Sequence, residues 1–179
     1  RARWILMSIL GLMPAPRAIA DTGLRDHGQH FFNDTFGNFQ EELETAREEG
    51  KKGILLMFEM DECPFCHYMK TRILNQPAVQ DYYREHFRIF PVDVEGDIEI
   101  TDFSGKTTKM KDFALHQYRV RATPVFAFFD TDGNYIKRAR YTGATRDKAE
   151  FLLLGQYVVD KQYLEQPFAR YKREQADAR

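Results

Sequence analysis

Two unbroken apolar runs, at residues 54–58 and 125–129, constrain this chain more than any other feature, because neither contains a single polar side chain. A strand with one wet face alternates apolar and polar residues, whereas a strand without alternation needs cover on both faces, which helices on either side of a sheet supply. Helical spacing duly surrounds both runs. Phe39, Leu43 and Ala46 share one face across 39–49, and Gly50 stops that segment. Phe65, Met69 and Ile73 repeat at intervals of four across 64–75, residues 77–86 read as a second short helix, and Phe113 and Leu115 carry helical spacing through 111–119.

Further strands complete the pattern. Residues 87–94 alternate loosely, and Pro91, which lacks a ladder donor, places that strand near a sheet edge. Residues 96–110 are predicted to be an inserted hairpin, with Ile98 and Ile100 ahead of the Ser104-Gly105 turn. Asp132-Gly133 predicts a turn joining the second apolar run to an antiparallel strand at 135–141. Thr145 is expected to cap a closing helix that buries Phe151, Leu152, Val158 and Val159, while the polar stretch after Phe168 is expected to fray. The 179 residues, 43% of them apolar, suffice for one core. The expected class is therefore α/β, a mixed central sheet flanked by helices on both faces.

Charge and termini narrow the setting. With 26 Lys+Arg against 27 Asp+Glu and no basic stripe, nothing favours nucleic acid as a partner. Arg1 and Arg3 precede an apolar stretch at 4–13, Pro14 and Pro16 break it, and Ala18 and Ala20 offer the small residues of a cleavage site. Residues 1–20 are thus predicted to be a signal peptide directing export to the periplasm, or a membrane anchor if uncleaved. Ten helical residues rise only about 15 Å, half of a hydrocarbon core of about 30 Å. The remainder divides into an N-terminal extension at 21–37, a main domain at 38–165 and a polar C-terminal tail at 166–179. Phe31, Phe32 and Phe36 of the extension are expected to bury against the sheet.

The only two cysteines, Cys63 and Cys66, follow the first apolar run at its exit. Pro64 suits the first position of a helix, so the thiols open that helix three residues apart, within the Cα separation a disulfide accepts. In an oxidising compartment such a pair is either a permanent clip or a redox device. Redox work requires a thiolate, and an unperturbed thiol of pKa about 8.5 is only about 3% ionised at pH 7. The helix N-terminus favours the anion at Cys63 by at most about 2 kcal/mol. His67 adds positive charge when protonated, whereas Glu59, Asp61 and Glu62 oppose ionisation. A less stabilised thiolate makes a better reductant and a poorer oxidant, so reductant or isomerase-like behaviour is expected.

The apolar strand leading into Cys63-Pro64-Phe65-Cys66, Thr123-Pro124 ahead of the second apolar strand, the turn at 130–133 and Gly143 before the last helix together resemble the thioredoxin superfamily across about 39–159. Export and the insertion at 96–110 are similar to periplasmic thioredoxin-like thiol-disulfide reductases of the type that accompanies sulfur oxidation. The resemblance implies a thioredoxin-like fold and protein-disulfide reductase activity. Cys63 and Cys66 are the implied catalytic residues, with the Cys63-Cys66 disulfide serving in place of any other cofactor and no metal. It also implies a cis Thr123-Pro124 peptide beside the dithiol. Thr123 and Pro124, together with Pro64 and Phe65 between the thiols, are then the substrate-binding candidates. The implied partners are disulfide-containing envelope proteins and an upstream membrane or periplasmic thiol reductant, and a monomer is expected. The chain departs from cytoplasmic thioredoxins where Met57 replaces a buried Asp and Glu62 replaces a Trp. Glu59 either takes over the role of that Asp or is simply a solvated strand-end acid, so Glu59 and His67 are the candidates for tuning the thiol.

Two other readings stay open on sequence. Cys63-Pro64-Phe65-Cys66-His67 also satisfies the C-x-x-C-H haem-attachment pattern, although no haem-enclosing helical core accompanies it. A non-enzymatic binding domain would keep the disulfide as a structural clip. A metal site on both thiols and His67 lacks a second ligand cluster, since His27, His30, His86 and His116 are scattered.

Overall fold

The structure, a computed structural model, describes residues 23–177. The expected signal peptide at 1–20 therefore lies outside the described residues. Strand β1 (Gly53–Glu59) contains the first apolar run, and β2 (Phe87–Asp93) lies parallel to it from Gly53 opposite Phe87 to Glu59 opposite Asp93. A hairpin of β3 (Glu99–Thr101) and β4 (Thr107–Lys109) follows as a separate excursion. Its turn closes on Asp102, whose carboxylate accepts from the N–H groups of Ser104 and Lys106, the Ser104 hydroxyl and the Gln117 amide. Strand β5 (Val125–Asp130) pairs antiparallel with β1, and the two-residue β6 (Tyr141–Thr142) pairs with β5. The main sheet runs β2-β1-β5-β6, so β2 is an edge strand, as Pro91 required.

Side-chain alternation divides the sheet residues into two dry layers. Leu55, Met57, Phe87, Ile89, Phe126 and Phe128 face one side, with Met69, Tyr83, Phe151 and Leu154 packed on them. Ile54, Leu56, Phe58, Phe90, Val92, Ala127 and Phe129 face the other, against Phe39, Leu43 and Phe113. Helices α3 (Pro64–Tyr68), α4 (Pro77–His86) and α6 (Lys148–Val159) cover the first layer, and α2 (Phe39–Glu48) with α5 (Met110–Asp112) covers the second. Both α3 and α5 continue without a break into π-helical turns, at Met69–Ile73 and Phe113–Gln117. Each fully buried Phe or Leu in these layers contributes about 1.5–3 kcal/mol.

The open edge of β2 is not bare. Behind the short helix α1 (His27–His30), Asn33 donates its N–H to the Ile89 carbonyl at 2.8 Å and accepts the Ile89 N–H on its side chain at 2.9 Å. The N-terminal extension thereby occupies part of an edge that would otherwise be free to pair with another chain. Phe31 and Phe32 are buried beneath it as expected, but Phe36 is fully exposed. The adjacent Gly37 holds φ at 82° and turns the chain into α2, leaving Phe36 on the outside.

Three local expectations require correction. Residues 135–141 do not form a strand: Tyr135 makes one bridge to Phe129, Lys137–Ala139 is a 3-10 turn, and only Tyr141 and Thr142 pair with β5. The buried residues there, Ile136 and Ala139, stand three apart, which matches a 3-10 turn and not the two-residue period of a strand. Thr145 does not cap α6, because its hydroxyl is buried against Met69 Sδ at 3.7 Å; Asp147 caps instead, accepting the Glu150 N–H at 2.8 Å. The helix accordingly starts later and buries Phe151, Leu154, Tyr157 and Val158, with Leu152 and Val159 only partly covered. The stretch after Phe168 is also ordered, as helix α7 (Phe168–Asp177), whose Phe168 and Tyr171 rings pack on Tyr157 at 5.4 and 5.5 Å.

Candidate active site

Strand β1 delivers the chain to the C-terminal edge of the sheet, where 60–62 turn and α3 begins. Cys63 is the N-cap of α3 with extended backbone, and Pro64, which has no N–H to satisfy, occupies the first helical position. Cys63 Sγ accepts the Cys66 N–H at 3.0 Å, and the two residues form a disulfide with Cα atoms 5.2 Å apart. The first sulfur thus sits where unpaired helix N–H groups converge, an environment that favours negative charge. Both cysteines are largely covered, Cys66 more so, and both join the core layer beneath α3. Burial of Cys66 in that layer also disfavours haem attachment, which needs both thiols presented together.

Acidic groups frame one side. Asp61, Glu62, Pro64 and His67 line a shallow recess around Cys63, with both acids exposed. Glu59 is different. Its side chain is mostly covered and one carboxylate oxygen is buried without a well-aligned hydrogen bond, but the Lys70 ammonium lies 2.7 Å from that oxygen. Lys70 stands one turn after Cys66 on the same helical segment, and this pairing was not foreseen from sequence. The only signal in the sequence was that position 70, in the π-helical turn that continues α3, lies four beyond Cys66 and so near the dithiol; nothing in the spacing tied it to Glu59 at the end of β1. Nor was His27 foreseen at this site. Burial lowers its pKa below the ordinary histidine value, the charges of Lys70 and His67 act in the same sense, and Asp26 and Glu59 oppose them.

Register brings Thr123 and Pro124 to the same sheet edge, because Val125 pairs with Phe58 near the end of β1. The Thr123-Pro124 peptide is cis, as the resemblance implied. Thr123 lines a groove of about 520 Å³ together with Met60, Val94, Leu115, Val120 and Arg121. On the opposite flank Phe65 is exposed, and Tyr68 donates its hydroxyl to the Arg146 carbonyl at 2.9 Å. Among the described residues no cluster of three or more His, Cys, Asp or Glu side chains is placed to hold a metal ion, and no helix is long and apolar enough to cross a membrane.

A thioredoxin-like domain profile matches residues 39–158, two thirds of the chain. The chain belongs to the thioredoxin-like family. Among solved structures, a thioredoxin-fold protein from Helicobacter pylori superposes with a TM-score of 0.63 at 19% identity, covering 84% of this chain and 95% of that one. A thioredoxin from Thermus thermophilus gives 0.50 at 25% identity, with coverages of 68% and 84%. The DsbH oxidoreductase gives 0.53 at 20% identity, with 74% and 88% covered. No curated protein matches. In this thioredoxin-like chain the family fold and a disulfide of CxxC spacing fit thiol-disulfide exchange, and support a redox enzyme in general.

Proposed function

We propose that this chain is an exported thiol-disulfide oxidoreductase that reduces disulfides of envelope proteins. The observation that carries the proposal is a disulfide whose first sulfur caps a helix, with the second buried one turn behind it. In the reduced protein the Cys63 thiolate attacks one sulfur of a substrate disulfide. The substrate S–S bond breaks, its far sulfur leaves as a thiolate that takes a proton, and a mixed disulfide forms on Cys63. Cys66, deprotonated, then attacks Cys63 Sγ; the mixed disulfide breaks and the second substrate thiol departs. The dithiol supplies both electrons and ends as the Cys63-Cys66 disulfide. A thiol reductant of the membrane or periplasm restores it by the reverse exchange.

Thr123 offers backbone groups to an extended substrate segment, Pro124 keeps the adjacent position free of a competing donor, and Pro64 and Phe65 contact the substrate across the cleft. His67 and Glu59 bear on the field at the dithiol, Glu59 through its pair with Lys70. Cys66→Ser, purified with its captured partners from an envelope extract, is expected to hold proteins in dithiothreitol-sensitive linkage to Cys63. Loss of that linkage in the Cys63→Ser, Cys66→Ser double variant is also expected. A redox titration complements the trap: a potential near about −120 mV, the range of strongly oxidising family members, would refute the reductive direction, and one near about −270 mV would support it.

A further inference from the structure

Between the CPFC turn and the loop ahead of α6 lies a recess of about 330 Å³, lined by Pro64, Phe65, Tyr68, Ala144, Thr145 and Arg146. Its volume is at the lower end for a ligand pocket, and its walls are mainly apolar. Two contacts fix their separation: the Tyr68 hydroxyl on the Arg146 carbonyl at 2.9 Å, and the Thr145 hydroxyl against Met69 Sδ at 3.7 Å. The recess is therefore built in advance of any partner. Phe65 on its rim is 62% exposed, an apolar ring left in water beside a reactive disulfide. At the opposite rim the Arg146 side chain is 82% exposed and meets Asp147 through Nε at 3.2 Å, which leaves the outer end of the guanidinium facing solvent.

Charge around the dithiol is thus uneven. Asp61 and Glu62 stand on one side of Cys63, without an ion pair among the described residues; across Phe65 on the other stands Arg146, whose charge is partly offset by Asp147 at Nε and whose outer guanidinium nitrogens remain open to a substrate carboxylate. An acidic substrate residue is repelled from the first side and attracted to the second, so a bound segment has a preferred placement. We propose that this recess selects substrate segments carrying an apolar side chain and a carboxylate next to the reacting cysteine, with the apolar group between Phe65 and Tyr68 and the carboxylate on Arg146. The inference rests on the disulfide-exchange reading and names the substrate class of that same site.

The test is single-turnover reduction of disulfide-linked peptide dimers by the pre-reduced full chain, followed by stopped flow. Each peptide places leucine beside its cysteine together with either aspartate or lysine, on either flank. Hydroxyethyl disulfide, which is small and uncharged, is measured in parallel with the unaltered chain. The aspartate peptide is expected to react about fivefold faster than the lysine peptide on at least one flank, the scale of one exposed ion pair. That ratio is expected to fall to about one in Arg146→Gln, to invert in Arg146→Glu, and to shrink at about 1 M salt, where screening acts within about 3 Å. An equal rate for both peptides, or a ratio that survives Arg146→Glu, overturns the inference while hydroxyethyl disulfide is still reduced. Failure to reduce hydroxyethyl disulfide refutes the exchange reading itself, and the inference with it.

Discussion

Reducing the Cys63-Cys66 bond should cost the fold little, and the amount follows from its spacing. The bridge closes a loop of only four residues, since the sequence separation is three. In the chain-entropy account the stabilisation is about 2.1 + 1.5R ln n cal/mol/K, which for n of about four gives about 2 kcal/mol at 25 °C. For a chain of this size each kcal/mol is worth about 2–4 °C in Tm, so full reduction is expected to lower Tm by about 4–8 °C. Features on the reduced side work against even that loss. The Cys66 N–H still has Cys63 Sγ as its acceptor, Pro64 still starts α3, and Met69 and Ile73 remain packed in the same core layer. A Cys63 thiolate additionally gains the field of the helix end, up to about 2 kcal/mol in favourable partly buried geometry. The assay is thermal unfolding followed by far-ultraviolet circular dichroism, with and without dithiothreitol, free thiols being counted before each scan. A fall of more than about 15 °C, several times what the loop term allows, would mark the bridge as a structural clip and refute the redox reasoning.

Other consequences concern the scaffold. Tyr83→Phe removes the 2.6 Å hydrogen bond from a fully buried hydroxyl to the Phe151 carbonyl while keeping the ring; a loss of about 1 kcal/mol by urea unfolding is expected, and a gain in stability would contradict that contact. Gly53→Ala should destabilise strongly, by more than about 3 kcal/mol, because φ is +152° and the added methyl would overlap the Phe129 carbonyl across the β1–β5 pairing; soluble protein with an unchanged midpoint would disprove the close approach. Burial opposes ionisation of Glu150, but its bonds with Lys172, the Arg146 N–H and Tyr141 outweigh it and hold the carboxyl below its ordinary value. A depressed folded value means stability that is present above the unfolded value and lost as pH falls through the folded one, so unfolding free energy should decline below about pH 4.3. The decline should be shallower in Glu150→Gln, and an identical pH slope in that variant would exclude Glu150 as a source.

The fold was legible wherever burial left a period in the sequence. Runs 54–58 and 125–129 showed two-sided cover because both faces meet apolar helices, and Pro91 showed an edge because only an edge tolerates a missing donor. Failures occurred where neighbours distant in sequence decided the outcome. Thr145 and Asp147 are both good caps, and Met69, 76 residues away from Thr145, took the threonine hydroxyl. The Asp132-Gly133 turn signal implied a returning strand at 135–141, yet the burial of Ile136 and Ala139 three apart imposed a tighter turn there. Helix α7 carries only Phe168 and Tyr171 as large apolar side chains, a stripe that acquires meaning only once Tyr157 lies beneath it.

At the site, the two thiols were legible because their chemistry needs only spacing, whereas the balance of charge around them was not. Counting along the chain sets Glu59, Asp61 and Glu62 against ionisation of Cys63. In the folded protein Lys70 lies 2.7 Å from Glu59, so much of that charge is offset locally. Asp61 and Glu62 remain, but both are exposed, and a unit charge at about 4 Å in water is worth only about 1 kcal/mol before salt screens it. The helix end acting on Cys63 is of comparable or larger size, up to about 2 kcal/mol. The opposing influences therefore come close to cancelling, with a small surplus on the side of the thiolate. Pairing Glu59 with Lys70 removes part of the opposition to the thiolate that the linear sequence implied, and so moves the dithiol slightly away from the reducing end, by far less than the stabilisation of the reduced form on which a strongly oxidising dithiol depends.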